Sequence, residues 1–142
     1  MPRDVATIYT ITNVSRISRI SPGRLAYWDC IGLVKPSLGK ASGKGSRRFY
    51  SFQDIARIKI VVELLDADFS LQRIRRSFDF IESLSIPLSE LMIITDTATI
   101  YVCNSNDIFV DTLRQGQTVL KLIVADLLKE VEQEILAADT PE

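Results

Sequence analysis

The sequence contains no histidine, and its 142 residues include only two cysteines, Cys30 and Cys103. Without an imidazole there is no ordinary general base for a nucleophilic triad and no usual nitrogen ligand for zinc or iron. The two cysteines lie far apart and neither sits in a paired motif, so structural thiols are expected, Cys30 as a small apolar residue beneath a helix. Cys103 as a thiol sensor or metal ligand stays open, but nothing beside it in sequence completes a site. Long apolar runs are missing as well. Leu91 to Ile94 and Leu120 to Ala125 fall far short of the roughly 20 residues that cross a bilayer, and the amino terminus has no signal-peptide core. A cytoplasmic location follows as the expectation. A nucleophile elbow, a phosphate-cradling glycine motif and a clustered carboxylate pair are also lacking, so the chain is not expected to be an enzyme, and no cofactor or metal is expected.

What is present is an uneven distribution of charge. The formal net charge is only −1, yet residues 1–76 hold 14 basic and 6 acidic side chains, a net of +8, and the remainder holds 3 basic and 12 acidic, a net of −9. A folded half this basic attracts a polyanion that the acidic half repels, so the molecule should orient on its partner. The cations are spread through a domain rather than along one amphipathic stripe, which favours nucleic acid over a membrane surface.

Periodicity and caps divide the chain. Ile11, Val14 and Ile17 recur at helical spacing behind Thr10 or Thr12 as cap. Ser21-Pro22 starts a second helix that carries Leu25 and Trp28, with Gly32 placed to end it. Ser37 to Ser46 is a Gly-, Ser- and Lys-rich loop. Arg47 to Tyr50 reads as a strand that can pair with Leu33-Val34 in a small hairpin. A third helix runs from Ser51 to about Leu65, and a fourth, capped by Ser70, carries Leu71, Ile74, Phe78 and Ile81 to Ser83 or Pro87. Leu91 to Cys103 suits strands, and a turn at Asn104 to Asp107 predicts a hairpin with Ile108-Phe109-Val110. Leu120, Val124, Leu127, Val131 and Ile135 form the apolar stripe of a last amphipathic helix. The expected fold is α+β: a four-helix winged helix-turn-helix domain over 1–85, then a hairpin segment and a C-terminal helix over 86–142 as a dimerisation or sensing module.

One ordered set of motifs goes beyond pattern. Tyr9-Thr10-Ile11 is followed by Ser21-Pro22-Gly23-Arg24-Leu25-Ala26-Tyr27-Trp28-Asp29-Cys30-Ile31-Gly32-Leu33-Val34-Lys35-Pro36, then by Arg48-Phe49-Tyr50-Ser51 and Phe69-Ser70-Leu71. Over about residues 8–82 this resembles the DNA-binding domain of the MerR family of bacterial transcription regulators.

The resemblance implies a sequence-specific transcriptional regulator whose second helix enters the major groove of double-stranded DNA and whose wing lies along the backbone. It also implies a homodimer on a pseudo-palindromic promoter site, with RNA polymerase at promoters as a further partner and an effector left unnamed. DNA-binding residues are then expected at Ser21, Arg24, Tyr27, Trp28, Lys40, Lys44, Arg47 and Arg48. Tyr27 matches a phosphate-contacting aromatic and Arg48 the wing arginine. Gly23 and Ala26 stand where relatives commonly carry long base-reading side chains, which leaves Arg24 as the long reader in the middle of the helix. Trp28 can face DNA or the core, the basic loop can bind phosphate or be merely solvated, and the stripe of Leu120, Val124, Leu127, Val131 and Ile135 can pair two chains or pack within one. A non-regulatory DNA-binding module, architectural or segregational, and a winged-helix adaptor that holds protein remain alternatives.

Overall fold

Four helices of the first half begin on a hydroxyl. Thr10, Ser21, Ser51 and Ser70 each accept a hydrogen bond from the backbone N–H three residues on, which satisfies one of the donors a helix start leaves orphaned. In this computed structural model the helices are α1 (Ile11–Ser18), α2 (Pro22–Cys30), α3 (Phe52–Asp66) and α4 (Leu71–Leu84), with α5 (Val124–Asp139) closing the chain. The structure describes residues 8–39, 48–95, 99–104 and 120–139, without the side chains of 103, 104, 120, 121, 138 and 139. Thr10, not Thr12, is the first cap, and the Asn13 side chain returns a bond to the Thr10 backbone.

Two small antiparallel sheets complete an α+β fold. Strand β1 (Tyr9–Thr10) pairs with β2 (Phe49–Tyr50). Leu33 and Val34 are not the partners of β2, because both backbone N–H groups turn back to the Trp28 carbonyl. The hairpin instead closes through Leu38 and Gly39, whose backbones bond that of Phe49. The second sheet has the order β4-β3-β5, with β3 (Leu91–Thr95) between β4 (Ile100–Asn104) and β5 (Leu120–Ile123). The run from Leu91 to Cys103 is thus two strands paired with each other. The expected partner Ile108-Phe109-Val110 lies outside the described residues. Residues 120–123 are strand rather than helix: their backbone groups satisfy the second edge of β3, and the helix starts only at Val124.

A continuous apolar core joins the halves. Val14, Leu25, Trp28, Ile55, Ile58 and Leu64 of the first half are buried in the same cluster as Leu91, Ile93, Val131 and Ile135 of the second. The α5 helix packs on α1 and α3, and Lys59 of α3 reaches Glu134 of α5 at 2.7 Å.

Candidate nucleic-acid interface

The turn between α1 and α2 is three residues long, Arg19 to Ser21. Arg19 adopts the left-handed conformation at φ 62°, and its N–H closes on the Ser15 carbonyl, so the chain reverses without a glycine. Ser18 steadies this corner by donating from its hydroxyl to the Val14 carbonyl and accepting from the Ile20 N–H. The α2 helix leaves the corner with one face outward: Ser21, Pro22, Gly23, Arg24 and Tyr27 are exposed, whereas Leu25, Trp28 and Asp29 are buried. Tyr27 is 54% exposed, an unusual position for a large aromatic without a partner surface.

Trp28 resolves to the core. It is 1% exposed, so its ring is withdrawn from any ligand in a groove and the DNA-contact expectation for it is corrected. Its outer face still matters, because the Arg24 guanidinium lies 5.3 Å from the ring centroid, one helical turn away. That contact biases the rotamer of an exposed arginine before any partner arrives. Cys30 is exposed at the end of α2, not beneath it, since the helix rotates that position outward.

The exit of α2 is closed by hydrogen bonds. Gly32 sits at φ 76°, its N–H donates to Asp29 and that of Leu33 to Trp28, the pairing that ends a helix on a left-handed glycine. The chain then runs to the hairpin, whose root is held by two buried carboxylates. Asp54, fully buried, accepts from the Ser37 N–H at 2.8 Å, the Ser37 hydroxyl at 2.7 Å and the Ser51 N–H at 2.9 Å. Asp29, 1% exposed, accepts from Arg48 Nε at 2.7 Å and has Lys35 Nζ at 3.8 Å. The guanidinium of Arg48 is held charged above its ordinary range chiefly by that hydrogen bond. Arg48 is therefore a strut between β2 and the last turn of α2, with its Nε edge committed to protein.

Sequence reasoning missed Asp29 and Asp54, because their partners are distant in sequence; the Ser51-to-Asp54 capping box was the single local signal. It also passed over exposed Arg16 and Arg19 beside the turn, and Arg75, whose guanidinium lies 3.8 Å from where a Cβ on Gly32 would stand. Lys40, Lys44 and Arg47 lie outside the described residues.

Residues 9–80 match the family model of the MerR HTH family regulatory proteins. The chain belongs to the MerR family. Uncharacterized HTH-type transcriptional regulators of Mycobacterium bovis and Mycobacterium tuberculosis are 36% identical to it over 124 residues, covering 87% of this chain and 55% of theirs. The HTH-type transcriptional regulator SkgA of Caulobacter vibrioides is 34% identical over 56 residues, 39% of this chain and 21% of that protein. This MerR-family chain thus spans about half the length of the mycobacterial relatives it matches. A crystal structure of a MerR-family transcriptional regulator from Bacillus cereus aligns over 93% of this chain and 74% of its own, with 21% identity and a TM-score of 0.46.

The stripe expected to pair two chains lies inside this MerR-family molecule. Val124, Val131 and Ile135 are fully buried and Leu127 is 5% exposed, all packed within the chain, while the Leu120 side chain is outside the described residues. An apolar face already covered by α1, α3 and β3 has no area left for a second subunit, so dimerisation through these side chains is corrected to intramolecular packing.

Proposed function

We propose that this chain binds duplex DNA as the reading end of a transcriptional regulator, with α2 in the major groove and the hairpin root against the flanking backbone. The observation that carries the reading is the outward face of α2, where Ser21, Arg24 and Tyr27 stand exposed on a half with net charge +8. In this reading Arg24 reads a base edge, Tyr27 and the Ser21 end of the helix meet phosphates, and Lys40, Lys44 and Arg47 add charge along the backbone. Arg48 contributes indirectly by fixing the hairpin against α2, and Arg16 and Arg19 extend the cationic rim. The acidic second half faces away from the duplex.

The reading includes a homodimer on a pseudo-palindromic promoter site where RNA polymerase also binds. Its contact falls outside the buried α5 stripe; Leu136, 53% exposed, and Ile123, 38% exposed, are apolar side chains placed where a second copy can cover them. The test is a binding titration against duplexes of selected and scrambled sequence at several salt concentrations. Affinity should fall steeply as salt rises, by a power of concentration set by the number of phosphates neutralised, and selected duplexes should bind more tightly than scrambled ones. A flat salt response would sink the proposal.

A further inference from the structure

The α4 helix carries arginines that the DNA reading does not use. Arg73, Arg76 and Phe80 fall at positions i, i+3 and i+7, one side of the helix next to its buried stripe. Opposite them stand Ile100 and Val102, two apart in β4 and hence on one face of the strand. Together with Ser77 and Thr99 they line a cleft of about 290 Å³. Phe80 is 53% exposed. The Arg73 guanidinium lies 5.7 Å over the Phe69 ring, and Arg76 has no ion pair among the described residues, although Asp79 follows three positions on. Two cations thus border an apolar floor at the seam between the basic and the acidic half, where opposite charges would be expected to pair.

We infer that the cleft between α4 and β4 binds a small organic anion with an aromatic or branched apolar body. A guanidinium fork supplies paired donors for a carboxylate or sulfonate, and Phe80, Ile100 and Val102 supply the contact area that fixes its body. DNA is a poorer occupant, because a phosphate backbone has no use for an apolar floor, and the neighbouring half carries net charge −9. Such a ligand would touch the helix that ends the family-matching segment and the sheet beyond it at once.

The experiment is a fluorescence titration of the full chain, free of DNA, with anilinonaphthalene sulfonate and with neutral phenylnaphthylamine, which keeps the rings and drops the charge. Saturable binding of the anion is expected, weakened about tenfold by Arg76→Gln while the neutral probe is unaffected, as loss of a charge-assisted contact implies. Phe80→Ser should weaken both probes. Both side chains are exposed, and an unchanged far-UV circular dichroism spectrum verifies that each variant folds. Unchanged affinity of the anion for Arg76→Gln overturns the inference, as does a Phe80→Ser variant that binds both probes as tightly as the parent chain. Because the titration contains no DNA, its failure leaves the DNA-binding proposal standing, and a failed DNA titration leaves this one standing.

Discussion

Tyr50 is fully buried, and its hydroxyl has no hydrogen-bond partner among the described residues. Burial first, and the nearby Asp29 charge second, push its pKa from 10.0 up to about 12. The folded chain therefore favours the protonated phenol. That contribution is fully present below pH 10 and is lost as pH rises towards 12, on the order of 2 kcal/mol over the interval. Tyr50→Phe should flatten the alkaline loss in denaturant titrations run across that range, and should raise stability at neutral pH by about 1 kcal/mol, because an unsatisfied hydroxyl leaves the core. Unchanged alkaline behaviour would assign the loss to another group. Arg48 makes a second prediction at this scale. Arg48→Ala removes the 2.7 Å charge-assisted bond to the buried Asp29 carboxylate, and should destabilise the fold by ~2–3 kcal/mol. Adding Asp29→Asn should recover part of that loss in a double-mutant cycle, whereas two simply additive losses would mean the pair is not coupled.

At the scale of the element, α2 is defined by its two ends. Ser21 starts it and Gly32 stops it, and each acts through the backbone rather than through packing. Gly32→Ala introduces a Cβ that would meet nothing closer than the flexible Arg75 side chain at 3.8 Å, so its cost is the left-handed backbone alone, about 1 kcal/mol. Thermal melts should register that loss, and duplex affinity should fall with it if the α2 exit sets the hairpin direction. A fully tolerated alanine would argue that the exit conformation is not under constraint. The hairpin root is an element held by side chains. Asp54 joins Ser37 to the start of α3.

At the scale of the molecule, the described residues of both halves share one core, and this has a measurable consequence. Ile135 lies in α5, far in sequence from Trp28, yet both belong to the same buried cluster. Ile135→Ala should lower stability by about 2–5 kcal/mol through lost burial and the cavity it leaves. Trp28 is the single tryptophan and reports the first half, while circular dichroism reports all helices, so the two transitions in denaturant should move together. A tryptophan transition that stays in place while helix signal is lost would show that the halves fold separately. The Lys59 to Glu134 pair contributes little to this union, since both side chains remain partly in solvent.

Local chemistry was legible in the sequence. Hydroxyl caps, a proline at the first helical position, a glycine at a helix exit and the 3.6-residue apolar period act over a few residues, so α1 to α4 follow from the chain itself. The faces of α2 did not: Trp28 stood open between DNA and core, and Cys30 was expected beneath the helix that exposes it. The division of charge at residue 76 and the ordered MerR motifs are equally sequence properties. Tertiary structure alone decided where non-local partners meet. It put β2 against β1 rather than Leu33-Val34, turned residues 120–123 into the third strand of a sheet, and gave the α5 stripe to the interior. It also brought Asp29 to Arg48 and Asp54 to Ser37. The physical reason is the same in each case: a backbone edge, an apolar face or a buried carboxylate must be satisfied by some partner, and sequence states the need without stating which distant residue meets it.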